Sequence, residues 1–136
     1  RLVKEHPLIL EIARQRFPFP NQEKPSWHCY VNLPGKPLLG LTEGKQKIYP
    51  HILVVDRASA ANKNVLAADV LTAADFSNLP LERWAKIVNA VNSFYLFVPE
   101  GFCQQIIEAV NNANIFVSGF RYYRQVGEQL EIDDCL

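Results

Sequence analysis

Methionine is absent from the 136 residues, and cysteine occurs only three times. The cysteines at positions 29, 103 and 135 are odd in number and far apart, so we expect no disulfide framework and a cytoplasmic protein. No apolar run approaches the roughly 20 residues that a membrane helix needs, which argues against a membrane span. A basic and apolar leader is also lacking, and the missing methionine leads us to expect a short native segment before Arg1.

Net charge is lacking as well, because 14 basic residues are balanced by 14 acidic ones. A protein that wraps nucleic acid by bulk electrostatics needs a basic surface, so this class is disfavoured, although a local basic patch stays open. Hydrophobic residues make up 49% and charged residues 21% of the chain. This balance and length are typical of one globular domain, which we assign to residues 1–136.

The first half of the chain predicts one helix followed by strands. Apolar residues at helical spacing predict a helix from Pro7 to Arg16. Alternation from Trp27 to Asn32 predicts a half-buried strand. The segment from Ile48 to Asp56 ends in a continuous apolar run, which is typical of an interior strand. A second strand from Asn64 to Leu71 follows closely enough to form a hairpin with it.

The second half predicts alternating helices and strands. One apolar stripe at helical spacing follows Pro80 and consists of Leu81, Trp84, Ala85, Val88 and Val91. A buried strand is predicted at Phe94–Val98, a helix from about Gly101 to Asn112, and strands at Ile115–Tyr123 and Gln129–Ile132. Strands joined through a helix are parallel. We therefore expect an α/β fold with a mixed central sheet flanked by helices, a hairpin before Trp84 and parallel strands after it.

Four short motifs occur in this order: Tyr49-Pro50-His51-Ile52, Ala68-Asp69-Val70, Trp84-Ala85-Lys86 and the stretch from Phe94 to Gly101. Together they resemble the restriction-endonuclease-like PD-(D/E)XK superfamily, in its branch of small uncharacterised bacterial proteins. The resemblance covers roughly residues 48–123. It implies a core of the order helix, strands, helix, strand, helix, strand, with carboxylates at the ends of two neighbouring strands.

The resemblance implies a metal site that this sequence carries only in part. In such a site two or three carboxylates hold Mg²⁺, which activates a water molecule, and a nearby lysine orients that water. Here His51 and Leu71 stand at two of the expected polar positions, and only Asp69 supplies a carboxylate. A carboxylate with an imidazole is a poor Mg²⁺ site, because this ion prefers oxygen ligands.

Two other residues could complete the site, namely Glu11 on the first helix as a second oxygen ligand and Lys86 as a displaced lysine. Asp56 lies about 16 Å from His51 on strand geometry and cannot replace it. A structural role is the alternative for each candidate: a partnered strand carboxylate at Asp69, a hydrogen-bonded histidine at His51, and solvated helix residues at Glu11 and Lys86.

A further candidate for binding is the pair Arg121 and Arg124, which bracket two tyrosines and could grip a single nucleic-acid strand by charge and stacking. A charged edge strand is the alternative explanation. The sequence therefore predicts a nuclease-type fold with a degenerate active site and a binding or structural role. A Mg²⁺-dependent nuclease using Asp69, Glu11 and Lys86 is one alternative. A homo-oligomeric module with an apolar patch of Phe17, Phe19, Trp27, Tyr122 and Tyr123 is another.

Overall fold

The computed structural model describes residues 5–58 and 60–136. The helices are α1 (Glu5–Arg16), α2 (Leu81–Val88) and α3 (Cys103–Asn112), with a short 3-10 helix at Ala73–Ser77. The strands are β1 (Trp27–Val31), β2 (Leu41–Glu43), β3 (Gln46–Ile48), β4 (Ile52–Asp56), β5 (Lys63–Val70), β6 (Ser93–Pro99), β7 (Gly119–Val126) and β8 (Gln129–Asp134).

Six strands form one mixed sheet in the order β1-β4-β5-β6-β7-β8. The β4–β5 pair is antiparallel, as the hairpin prediction requires, whereas β5–β6 and β6–β7 are parallel. The strands β2 and β3 pair separately as a small hairpin. The expected mixed α/β sheet, with a hairpin before Trp84 and parallel strands after it, is confirmed, and β8 adds an antiparallel edge strand beside β7. The β4–β5 hairpin is not at the edge of the sheet, because β1 pairs with β4 on the side away from β5.

One face of the sheet is covered by α1. Its apolar stripe, whose members include Ile9 and Ile12, is fully buried against the side chains of Val54, Ala68 and Phe97. At the end of the helix, Gln15 Nε2 donates to the carbonyl of Leu130 at 2.9 Å. Arg16 Nη2 likewise donates to the carbonyl of Ile132 at 2.8 Å. The helix therefore spans from the middle of the sheet to its edge strand β8.

The opposite face is covered by α2, α3 and the β2–β3 hairpin. Trp84 and Ile87 of α2, Ile106 of α3 and Leu41 of the hairpin are all at most 1% exposed and belong to one core cluster. Successive residues of a strand point to opposite faces. In β5, Ala68 and Val70 accordingly face α1, whereas Ala67 and the side chain of Asp69 face α2.

Three predicted boundaries differ from the structure for local reasons. The predicted strand Ile48–Asp56 is split, because Tyr49, Pro50 and His51 leave β3 before β4 begins. The predicted strand at Ile115 begins only at Gly119, since Ile115 still donates its N–H to the carbonyl of Val110. Asn114, with φ of +57°, adopts the left-handed conformation just after the end of α3. The helix α2 ends at Val88 and does not include Val91.

Cys103 and Cys135 form a disulfide, contrary to the expectation from the cysteine count. Cys103 is the first residue of α3. Cys135 follows β8, and its N–H donates to the carbonyl of Phe120 on β7. The disulfide joins Cys135 to the start of the helix. The pair is 32 residues apart, a contact that only the tertiary fold creates. The cysteines therefore give no support to the expected cytoplasmic location. Within the described residues, no helix has the length and apolar character to cross a membrane.

Candidate functional site

Asp69 is a buried carboxylate near the end of β5, only 3% exposed. Its position is fixed by β5, whose neighbouring residues pair with β4 on one side and β6 on the other. A carboxylate removed from water is costly unless charged or polar donors surround it. The donors around Asp69 come from two places, namely the segment before β4 and the first turns of α2.

Four N–H groups point at the two oxygens of Asp69. Arg83 Nε donates to Oδ2 at 3.0 Å and Arg83 Nη2 to Oδ1 at 3.1 Å, so the guanidinium binds the carboxylate through two parallel bonds. The indole Nε1 of Trp84 donates to Oδ2 at 2.9 Å. The main-chain N–H of His51 donates to Oδ1 at 2.9 Å. Each oxygen therefore accepts two bonds.

The helix α2 supplies two of these donors because Trp84 anchors it. The Trp84 side chain is completely buried in the core of this face, and its position brings the adjacent Arg83 over the end of β5. Arg83 Nη2 also donates to the carbonyl of Tyr49 at 2.7 Å. The arginine thus links α2, β5 and the segment between β3 and β4.

The charge of Arg83 controls the ionisation of Asp69. Burial by itself raises the pKa of this carboxyl, but the guanidinium charge, together with the hydrogen bonds that the carboxylate accepts, lowers it below its ordinary value. The pKa of Arg83 is raised in turn, because the negative charge of Asp69 outweighs the opposing effect of burial. The pair is ionised at neutral pH and its net charge is zero.

His51 is held by the main chain of β5. The N–H of Val70 donates to its Nδ1 at 2.9 Å, so Nδ1 acts as an acceptor and the ring proton is on Nε2. The same Nδ1 is 3.9 Å from Asp69 Oδ1. The histidine is therefore placed beside the carboxylate, and its ring is oriented by a strand backbone.

A cleft of about 320 Å³ opens above this network. Its polar floor contains His51, Asp69 and Arg83. The rest of the lining combines the polar residues Asn32 and Asp75 with apolar ones, which include Leu33, Pro34, Pro37, Tyr49, Leu71 and Pro80. The Tyr49 ring lies against Gly40, where an added Cβ would be only 2.7 Å from ring carbon Cε1. Glycine at this position leaves the space that the Tyr49 ring occupies.

Asn32 organises one side of the cleft. It is 3% exposed, and its Nδ2 donates to the carbonyls of Leu39 and Pro50, both at 2.8 Å. Its Oδ1 accepts from the N–H groups of Leu38, at 2.7 Å, and Leu39, at 3.0 Å. One amide side chain therefore fixes the loop after β1 against the segment that precedes β4.

The other sequence candidates for a metal site lie elsewhere. Glu11 is on α1, across the sheet from the carboxylate of Asp69, and it accepts hydrogen bonds from Arg14 and Gln15. The Arg14 hydrogen bond contributes most to lowering the pKa of Glu11 to about 2. Lys86 Nζ donates to Gln46 Oε1 at 3.1 Å, on the β2–β3 hairpin. The structure brings His51 and Asp69 together and leaves Glu11 and Lys86 apart from them.

No group of three or more histidine, cysteine, aspartate or glutamate residues that could hold a metal ion occurs in residues 5–58 and 60–136. Asp69 has carboxylate oxygens of the kind that Mg²⁺ prefers, but both are already occupied by donors. The residues present do not fit a Mg²⁺ centre.

Arg121 and Arg124 are both paired with acidic residues. Arg121 Nε donates to Asp134 at 3.2 Å, and its guanidinium carbon lies 4.6 Å from the centre of the Tyr95 ring. Arg124 Nη2 is 2.9 Å from Glu131, and Arg124 Nη1 is 3.3 Å from Glu100. These contacts match the alternative of a charged, paired strand near the sheet edge.

The proposed apolar patch is divided by the fold. Phe17 and Tyr123 are 4% and 7% exposed and belong to the core on the α1 face. Phe19 and Trp27 contact each other with ring centres 5.1 Å apart, and Lys24 lies over the indole. Tyr122 faces the other core cluster. These five side chains do not form one exposed surface.

Three residues of the cleft were missed by sequence reasoning, namely Asn32, Tyr49 and Arg83. A signal existed for Arg83, because it immediately precedes the tryptophan that anchors the apolar stripe of α2. A buried asparagine and a tyrosine that packs against a glycine leave no comparable pattern in the sequence.

No protein-family model matches the chain, and no match was found among the curated proteins or the solved structures.

Proposed function

We propose that this chain is a non-catalytic binding protein with a nuclease-type core, in which a metal-binding position has become a structural ion pair. The resemblance places the expected carboxylates at positions 51 and 69. These two positions are neighbours, since the N–H of His51 donates to Asp69 Oδ1 at 2.9 Å. This adjacency supports the nuclease-type core.

The observation that carries the non-catalytic proposal is the saturation of Asp69. Both oxygens accept two N–H donors, and one of the donor groups is a guanidinium. A Mg²⁺ ion at these oxygens would have to displace the N–H donors of Arg83 and Trp84. Its two positive charges would also lie close to the guanidinium charge of Arg83. Leu71, on the same face of the sheet and two residues further on, offers no ligand atom.

Binding rather than chemistry is favoured by the cleft above the pair. A concave site with apolar walls and a few fixed polar groups is the usual form of a ligand site. Its polar groups are fixed in orientation, because Arg83, His51 and Asn32 each form a hydrogen bond with a main-chain group. The proposed role is recognition of a ligand in this cleft without bond cleavage.

The test is a cleavage assay with purified protein, Mg²⁺ or Mn²⁺, and single- and double-stranded DNA and RNA. We expect no degradation, and no heat of Mg²⁺ binding in calorimetry. Asp133→Ala serves as the matched folded control, because Asp133 is an exposed residue of β8 that no reading places in the site. Cleavage that is lost in Asp69→Asn but retained in a folded control would overturn the proposal and restore the Mg²⁺-dependent alternative.

A further inference from the structure

The cleft carries a specific combination of charge and polarity. Arg83, Asp69 and Asp75 are among its charged side chains, and His51 Nδ1 accepts the Val70 N–H. Arg83 is neutralised by Asp69 through two hydrogen bonds. Asp75 adds a further carboxylate to the lining, which disfavours phosphate and carboxylate ligands.

One donor of Arg83 is still available to a ligand. Nε and Nη2 bond Asp69 and the carbonyl of Tyr49, whereas Nη1 has no acceptor among the described residues. The Arg83 side chain is 32% exposed and lines the cleft. A guanidinium whose charge is already balanced donates well to an uncharged acceptor such as a main-chain carbonyl.

The apolar surface continues beyond the cleft. Leu38 is 68% exposed and Tyr49 is 37% exposed, and Leu38 follows Pro37 of the cleft wall directly. The main-chain N–H of Leu38 donates to Asn32 Oδ1 at 2.7 Å, so this leucine is presented on a loop that Asn32 holds in place. An apolar surface that extends past a small cavity suits an extended chain, because successive side chains can occupy the cavity and the adjoining surface.

We propose that the ligand is an uncharged, extended peptide segment of a partner protein, with aromatic or proline side chains in the cleft. One carbonyl of the peptide main chain accepts from Arg83 Nη1. The Tyr49 ring and the proline walls contact its side chains, and Leu38 contacts the next residue. This inference rests on the proposed binding function and assigns its ligand class.

The experiment is selection from a phage-displayed library of short linear peptides on the full chain, followed by affinity measurement with a synthetic peptide of the enriched sequence. We expect an enriched sequence of uncharged aromatic or proline residues. Leu38→Asp introduces a charge on the exposed surface, and Gly40→Ala displaces the Tyr49 ring. Each substitution is expected to weaken the binding of the peptide by at least about tenfold. Thermal unfolding confirms that each variant folds.

Phe116→Asp is the matched control, because Phe116 is 80% exposed and is not part of the cleft lining. It is expected to bind the peptide like the unmodified chain. Failure to enrich any sequence, enrichment of acidic sequences, or equal binding by all three variants overturns the inference. Saturation by N-acetyl-tyrosinamide without peptide binding, or tighter binding of single-stranded oligonucleotides, also overturns it. None of these outcomes involves cleavage, so the non-catalytic proposal is judged separately by its own assay.

Discussion

Arg83 holds Asp69 through two parallel hydrogen bonds, from Nε at 3.0 Å and from Nη2 at 3.1 Å. This geometry explains how a carboxylate can lie in an otherwise apolar strand end. Two-bond arginine–carboxylate pairs combine charge attraction with fixed orientation. The pair therefore connects α2 to the sheet and sets the floor of the cleft, which makes it the first target for mutation.

Replacement of Asp69 by alanine is expected to lower the free energy of unfolding by about 3 kcal/mol. The change leaves the buried indole N–H of Trp84 without its acceptor and Arg83 without its counter-charge. The value is at the lower end for a broken buried pair because Arg83 is partly exposed. Urea unfolding measures it.

Asp133→Ala is the control, because Asp133 is an exposed residue of β8. This substitution should change the free energy of unfolding by no more than about 0.5 kcal/mol. A loss below about 1 kcal/mol for Asp69→Ala would show that the buried pair contributes little to stability.

Acid should destabilise the protein through Asp69. Its pKa in the folded chain is below the ordinary value of 3.8, so the unfolded chain takes up the proton more readily. The stabilisation is fully present above about pH 4 and is lost as the pH falls through the folded-state pKa. Unfolding free energies measured from neutral to acidic pH should therefore decline less steeply in Asp69→Asn than in the unmodified chain.

Glu11 provides a comparison for the acid titration. Its pKa is lowered to about 2, first by the Arg14 hydrogen bond, but its ion pair is exposed to solvent. Exposed pairs contribute little to stability. Glu11→Gln should therefore alter the pH dependence less than Asp69→Asn does, and the reverse order would contradict the importance of the buried pair.

Reduction of the Cys103–Cys135 disulfide, or Cys135→Ser, is expected to lower stability by about 4 kcal/mol on a chain-entropy estimate for a separation of 32 residues. Unfolding with and without reductant measures the difference. Cys29→Ala is the control because Cys29 is the free cysteine, and burial raises the pKa of its thiol to about 11.

A thiol titration of the unfolded chain checks the pairing directly. One reactive thiol is expected without reductant and three with it, since the sequence has three cysteines and two of them are paired. Three thiols in protein purified under oxidising conditions would contradict the disulfide.

Asn32→Asp is expected to destabilise the chain by about 2 kcal/mol, because the buried carbonyls of Leu39 and Pro50 lose their donor. The new carboxylate would also face these carbonyl oxygens. Asn92→Asp, at an exposed position, tests whether the added charge alone matters. Thermal and urea unfolding of both variants give the comparison, and equal stability of the two would rule out a structural role for the Asn32 amide.

The sheet could be predicted from the sequence because its strands carry a strong local signal. The apolar run Ile52–Val55 and the stretch Phe94–Val98 lie in strands that are covered on both faces, and both were predicted. The boundary errors occur where a local conformation interrupts an apolar pattern. Tyr49, Pro50 and His51 interrupt the first predicted strand, and Ile115 completes the end of α3 before β7 begins.

The candidate site could be predicted only at one residue. An aspartate in the apolar end of β5 requires partners, and this reasoning singled out Asp69. Its partner Arg83 lies 14 residues later and reaches it only because α2 packs with Trp84 against that face. Glu11 could not be assigned to a face of the sheet from helical spacing alone, since spacing gives the buried side of a helix but not the surface that it covers.

The contacts between α1 and β8 affect how copies of this chain meet in concentrated solution. An edge strand exposes main-chain acceptors to which another strand can add, and this is a common route to aggregation. On β8 the carbonyls of Leu130 and Ile132 are already used by Gln15 and Arg16. Replacement of both side chains by alanine would return these acceptors to solvent, so turbidity on storage should increase for the double variant even if its folded structure is unchanged.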